Sequence, residues 1–225
     1  MLRRESGFTL IEIAIVLVII GLLLGGVLKG QELITSARVR NLISQQDGVK
    51  AAYFGFQDRF RSIPGDYSLA STNIATGLTN GNGNGQIESI ASGGAVDEYI
   101  GVWEHLSRSG FINGSYSYAV APPTTASGPT NPYGMYLTLI YDNVYAGTNP
   151  TKHNLKTGNQ VPADILAEVD RKIDDGKADT GAFRFSSYSA TGTSPTAANC
   201  FTAATGAWLV VGGTVETNCG ATSLF

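Results

Sequence analysis

The run from Phe8 to Leu28, FTLIEIAIVLVIIGLLLGGVL, holds a single ionisable side chain, Glu12, in 21 residues. As a helix it would measure ~31 Å, the thickness of a bilayer hydrocarbon core. A secretory signal peptide has a shorter apolar stretch, about 7–15 residues, closed by a small-residue cleavage site. This run is longer, contains a carboxylate, and continues into helix-compatible sequence. A plain signal anchor fits the length, and Arg3 and Arg4 in the leader Met1–Gly7 favour a cytoplasmic N-terminus. It does not account for Glu12, because a carboxylate deep in lipid costs on the order of 3 kcal/mol.

Composition narrows the rest. The chain has 225 residues, 15% of them charged and 43% hydrophobic, with 28 glycines and a formal net charge of -3. An average soluble domain carries roughly 25% charged residues. So low a charge excludes a coiled-coil rod and a charged disordered tail. The acidic balance argues against a nucleic-acid partner. The length suits one domain with an appendage.

Gly7-Phe8-Thr9-Leu10-Ile11-Glu12, after a short basic leader and before a long apolar run, resembles the class III signal of type IV pilins and type II secretion pseudopilins. The resemblance is confined to about the first 35 residues. It implies that a prepilin peptidase cuts between Gly7 and Phe8 and methylates the new terminal amine of Phe8. It implies assembly into a filament through the N-terminal helix, with Glu12, Phe8 and Thr9 as assembly residues. Glu12 would pair with the terminal amine of a neighbouring subunit. The partners implied are identical or related subunits, the peptidase, an inner-membrane assembly platform and membrane lipid. The place implied is the bacterial inner membrane, single-pass, N-terminus cytoplasmic and head periplasmic, and then a periplasmic or extracellular filament. The spacing is compatible: Glu12 lies four residues after Phe8, one helical turn. Many such chains carry a proline further along this helix. Here Gly21, Gly25, Gly26 and Gly30 stand instead, read either as a site of local unwinding or as small residues for close packing in lipid.

The predicted architecture is α+β. A leader (1–7) precedes a membrane-spanning, polymerising helix (8–28) and its amphipathic continuation (29–63). A head (64–225) follows, with a small antiparallel sheet and short helices. Leu42, Gln46, Val49, Tyr53, Phe56, Phe60 and Ile63 recur at spacings of four and three, which predicts one helix stripe packed on the head, ended by Pro64-Gly65-Asp66. Tyr53, Phe54, Phe56 and Phe60 read as core contacts. Asp97 predicts an N-cap and Gly110 a stop for a helix carrying Tyr99, Val102, Trp103 and Leu106. Pro162 starts another helix, ended by Gly176. Tyr116–Val120, Tyr133–Tyr141, Ala182–Tyr188 and Trp208–Val211 read as strands.

Ser68–Ala95 predicts a long surface loop. Within it Asn80, Asn82 and Asn84 alternate with glycines ahead of Gly85, like the front half of an EF-hand-type calcium loop. All three are amides and the twelfth position is Ala91, with Glu88, Asp97 or Glu98 left to supply charge. Ca2+ at Asn80, Asn82, Asn84 and Glu88 is one reading, and a series of Asn-Gly turns is the other. Asp170, Asp174, Asp175 and Asp179 gather at a predicted helix C-terminus, where acids are unfavourable. A metal site, a partner contact and a solvated face are all compatible with them.

Cys200 and Cys219 are the only cysteines, and in an exported head an even pair reads as one disulfide. It would contribute about 3 kcal/mol in the chain-entropy model. Many pilins also tie their C-terminal region this way. The two histidines, His105 and His153, belong to no catalytic spacing. No HExxH, CxxC, GxSxG or Walker loop is present, and no enzyme is expected. Two functions are carried forward: a filament subunit, and a membrane-anchored extracytoplasmic binding module that does not polymerise.

Overall fold

The computed structural model describes residues 9–89, 96–210 and 215–225. Helix α1 runs from Leu10 to Phe60, and the chain divides into two units, Met1–Arg38 and Val39–Phe225. In the first unit the apolar side chains of α1, Leu10 through Ile34, face outward with nothing packed on them, from Ile20 at 46% exposure to Leu10 at 90%. This helix is long and apolar enough to cross a membrane.

In the second unit five residues of the stripe read from the sequence are buried, Leu42, Gln46, Val49, Tyr53 and Phe56, together with Val39 and Ala52, while Phe60 is half-buried and Ile63 lies beyond the helix end. The helix stops at Phe60, before the predicted Pro64 breaker, because Arg61 turns into the left-handed region at φ 54°. Two clusters share the stripe. Val49, Tyr53 and Phe56 pack with Ile100, Trp103 and Leu106 of α3 (Glu98–Arg108) and with Leu139 and Leu155 of the sheet. Val39 and Leu42 pack with Ile165, Leu166 and Val169 of α4 (Ala163–Ile173), with Phe183 and Phe185, and with the disulfide. A four-residue helix, α2 (Ala70–Asn73), interrupts the segment predicted as loop.

The sheet is antiparallel in the order β1-β2-β6-β3. Its strands are β1 (Thr138–Asp142), β2 (Lys152–Lys156), β3 (Phe183–Phe185) and β6 (Ala221–Leu224). The C-terminal strand β6 is therefore central, flanked by β2 at Lys156↔Thr222 and by β3 at Phe185↔Ala221. A short helix, α5 (Ala197–Cys200), leads into a two-stranded ribbon of β4 (Phe201–Thr202) and β5 (Ala207–Trp208). Cys200 and Cys219 are joined, both fully buried, tying the end of α5 to the approach of β6.

The α+β class stands, and so do α3 and α4. Several strand expectations do not. Tyr116–Val120 forms no strand: Tyr116 N–H donates to Ser107 Oγ and Tyr118 N–H to Glu104, with Ser117 N–H alone reaching a backbone carbonyl among the described residues, Ala126 O. The long strand at Tyr133–Tyr141 begins only at Thr138, after an isolated bridge between Thr130 and Tyr136. Trp208 sits in the ribbon rather than in the main sheet, and Val211 lies outside the described residues. Ala91 of the loop lies outside them as well.

Candidate functional site

At the N-terminus, Thr9-x-x-Glu12 forms a capping box. Thr9 N–H and Thr9 Oγ1 both donate to Glu12 Oε2 at 2.8 Å, and Glu12 N–H lies 3.4 Å from Thr9 Oγ1. Two helix-start donors are thus satisfied reciprocally. The resemblance implies an assembly role for Thr9; the local S/T-x-x-E signature in the sequence is that of the cap seen here. Gly7 and Phe8 lie outside the described residues.

The Asn-Gly segment is organised from beneath by three buried carboxylates and a histidine. Asp66, 3% exposed, accepts Gly83 N–H at 2.7 Å and Asn84 N–H at 3.0 Å on Oδ1, and Gly85 N–H at 2.9 Å on Oδ2. Glu98 accepts Asn82 N–H at 2.8 Å and Glu88 N–H at 3.1 Å. Glu104 accepts Thr79 N–H at 3.0 Å and Tyr118 N–H at 3.1 Å. Gly81 is where the loop crosses the Gly65-Asp66 backbone: a Cβ there would lie 2.3 Å from Gly65 O, so no larger residue fits. Asp97 stands at the N-cap of α3 but makes no side-chain cap, its Oδ2 accepting Ala121 N–H at 3.3 Å instead. Burial pushes Asp66 and Glu98 above the ordinary carboxylate range, against the pull of their backbone donors.

Of the four side chains of the calcium reading, Asn82 and Asn84 meet Glu88, each donating Nδ2 to Oε2, while Asn80 turns to Ser71. Asn80 Oδ1 accepts Ser71 N–H at 2.8 Å, Asn82 Oδ1 accepts Asn84 N–H at 2.9 Å, and Asn84 Oδ1 accepts Gln86 N–H at 2.8 Å. Glu88 Oε2 accepts Asn84 Nδ2 at 2.6 Å. A Ca2+ ion takes roughly six to eight oxygens. Each engaged amide oxygen keeps one further lone pair beside its turn bond.

His105 has no exposure and bridges the same region: Gly65 N–H donates to Nδ1 at 2.8 Å, and Nε2 contacts Thr79 O at 2.7 Å. Those partners require the neutral ring with hydrogen on Nε2. Burial holds its pKa below the usual 6.5. The unfolded chain therefore binds more protons once pH drops below ~6.5, so His105 costs stability from there down to its folded pKa. Asp66 and Glu98 are shifted up and act oppositely, so a variant isolates the histidine. Urea midpoints at about pH 7.5 and about pH 5 should fall with acid more in the native chain than in His105→Gln. Equal falls would mean that His105 does not titrate with unfolding.

The acidic turn after α4 has a similar logic. Asp170, Asp174 and Asp175 offer ligand atoms within 4.8 Å of one another. Asp170 accepts Trp208 Nε1–H at 2.7 Å and Gly176 N–H at 3.2 Å. Asp174 accepts Ala182 and Phe183 N–H at 2.5 and 2.7 Å, and Asp175 accepts Lys177 N–H at 2.9 Å. These carboxylates bind the backbone leading from α4 into β3, which explains acids at a helix C-terminus. Burial lifts Asp170 to about 6.

Residues 2–28 match the family described as the prokaryotic N-terminal methylation motif, the signal of type IV pilins and pseudopilins. No curated protein and no solved structure matches the chain. The motif supports a pilin-like or pseudopilin subunit processed by prepilin peptidase, and the one such apolar helix among the described residues fits a single-pass membrane anchor. Such subunits are structural rather than enzymatic.

Proposed function

We propose that this chain is a structural subunit of a type IV filament, of the pilus or of the type II secretion pseudopilus. Cleavage falls between Gly7 and Phe8, and Phe8 becomes N-methylated. Assembly runs through the N-terminal helix, with Thr9 and Glu12 in its first turn, from the inner membrane into a periplasmic or extracellular filament. The observation that carries this reading is the match over residues 2–28, within which Glu12 is the one ionisable group from Phe8 to Leu28. An amine and a carboxylate are each costly in lipid when alone. Stacking with an axial shift lets one chain's amine meet the next chain's carboxylate, so burial favours register.

The test is the mass of the protein purified from membranes. Loss of Met1–Gly7 with one added methyl on Phe8 is the expected result. An intact leader would count against processing and favour the alternative, a membrane-anchored extracytoplasmic binding module.

A further inference from the structure

Lys156 is the least exposed lysine among the described residues, its side chain at 1%. From β2 its Nζ donates to Asp142 Oδ1 at 2.8 Å and to Val144 O at 3.0 Å. The rings of Tyr145 and Tyr188 stand 5.7 and 5.6 Å from it. Asp142, at the end of β1, is treated unevenly. Its Oδ1 accepts Lys156 Nζ, Asn154 Nδ2 at 2.9 Å and Val144 N–H at 3.2 Å, whereas its Oδ2 is buried without a partner. A buried carboxylate oxygen with no donor is costly, and an ion pair this dry recovers little of its desolvation. The other three ion pairs among the described residues are all far more exposed.

We propose that Lys156 and Asp142 condense into an intramolecular amide, Nζ to Cγ, which covalently joins β2 to β1. A nitrogen 2.8 Å from Oδ1 lies at most ~4 Å from Cγ, since the C–O bond is ~1.2 Å, close to a near-attack separation. Burial brings the lysine down to about 8, with Asp142 pulling the other way, so the neutral amine is accessible. One proton passes from Nζ to the carboxylate across the Oδ1 contact and comes to rest on Oδ2, the oxygen without a donor, turning the ion pair into an amine and a carboxylic acid. The Nζ lone pair then attacks Cγ, and negative charge develops on Oδ1. Two N–H donors already point there, from Asn154 and Val144, in the arrangement that stabilises such an oxyanion. A second proton moves from Nζ to Oδ2, the Cγ–Oδ2 bond breaks, and Oδ2 leaves as water. One N–C bond forms, one C–O bond breaks, and nothing is oxidised or reduced.

The product gives up the ion pair and the cation's contacts with the two tyrosine rings but keeps the hydrogen bonds around it. Oδ1 becomes the amide oxygen and retains Asn154 and Val144 as donors. The remaining Nζ–H donates to Val144 O. Two buried charges disappear, and the orphaned oxygen departs.

The experiment is the intact mass of the full chain, reduced and denatured, from fresh and aged preparations; it does not depend on the filament reading. The expected mass is one water below that of the sequence, after correction for any leader loss and methylation. Fragmentation should place the missing water on the Asp142–Lys156 pair. Lys156→Arg and Asp142→Ala should each restore the full mass, and because the chain is denatured neither variant needs to fold for this reading. A succinimide at Asp175-Gly176 also loses one water, but it would persist in both variants. Full mass in fresh and aged wild-type protein, or a deficit that survives Lys156→Arg, overturns the proposal.

Discussion

Glu12→Leu is expected to leave the protein in the membrane and to abolish filament growth. In the isolated helix Glu12 closes the capping box, so its loss costs a helix start about 0.5–2 kcal/mol. That is too little to melt a helix running from Leu10 to Phe60. Removing a carboxylate from the apolar span lowers the cost of insertion by about 3 kcal/mol, so retention should rise if it changes at all. In the proposed filament, what disappears is the partner of a neighbouring chain's terminal amine. Leaving one member of a buried pair uncompensated costs about 3–5 kcal/mol, or roughly two to nearly four orders of magnitude in each subunit's association constant. Cell fractionation reads retention, and the yield of sheared filaments reads growth. Glu12→Gln separates charge from cap, because glutamine also serves in a capping box. Assembly should fail with Gln as with Leu. Normal filaments from Glu12→Gln would assign the residue to helix initiation alone.

How much could be read in advance follows from where each signal lives. The membrane run, the α1 stripe, α3, α4 and the disulfide are carried by local periodicity or residue type, and all are visible in the sequence. Strands β2 and β6 are not. Lys152-His-Asn-Leu-Lys looks like a polar loop because Asn154 and Lys156 are buried polar residues whose partners, Asp142 and Thr222, lie on neighbouring strands. Ala221–Leu224 consists mostly of small residues and earns its central place through pairing on both sides. The loop anchors were missed for the same reason. Glu104 and His105 interrupt an apolar helix face between Trp103 and Leu106, the one local hint, but their partner Thr79 is far away in sequence. Oxygen spacing leaves the Asn-Gly segment readable as a metal loop or as a turn series, because a side-chain oxygen that can bind a cation can equally accept a backbone N–H.

Asp66→Ala decides between these two uses of oxygen. It removes the acceptor of three backbone N–H groups, those of Gly83, Asn84 and Gly85. A buried donor left without a partner costs about 1–3 kcal/mol. Residues 82–85 are exposed on their outer side, so water reaches part of what is orphaned. A net loss of about 2–4 kcal/mol follows, or about 4–16 °C in melting temperature for a chain of this size. Asp66→Asn should lose less, because its carbonyl still serves Gly83 and Asn84 while its amide opposes Gly85 N–H, donor to donor. The loss should appear equally in calcium and in chelator, with faster hydrogen exchange across residues 79–88. A stabilising effect of calcium in the native chain that vanishes in Asp66→Ala would instead assign the carboxylate to an ion held with Asn80, Asn82, Asn84 and Glu88. Loss in both conditions makes the carboxylate the support on which the Asn-Gly turns are laid.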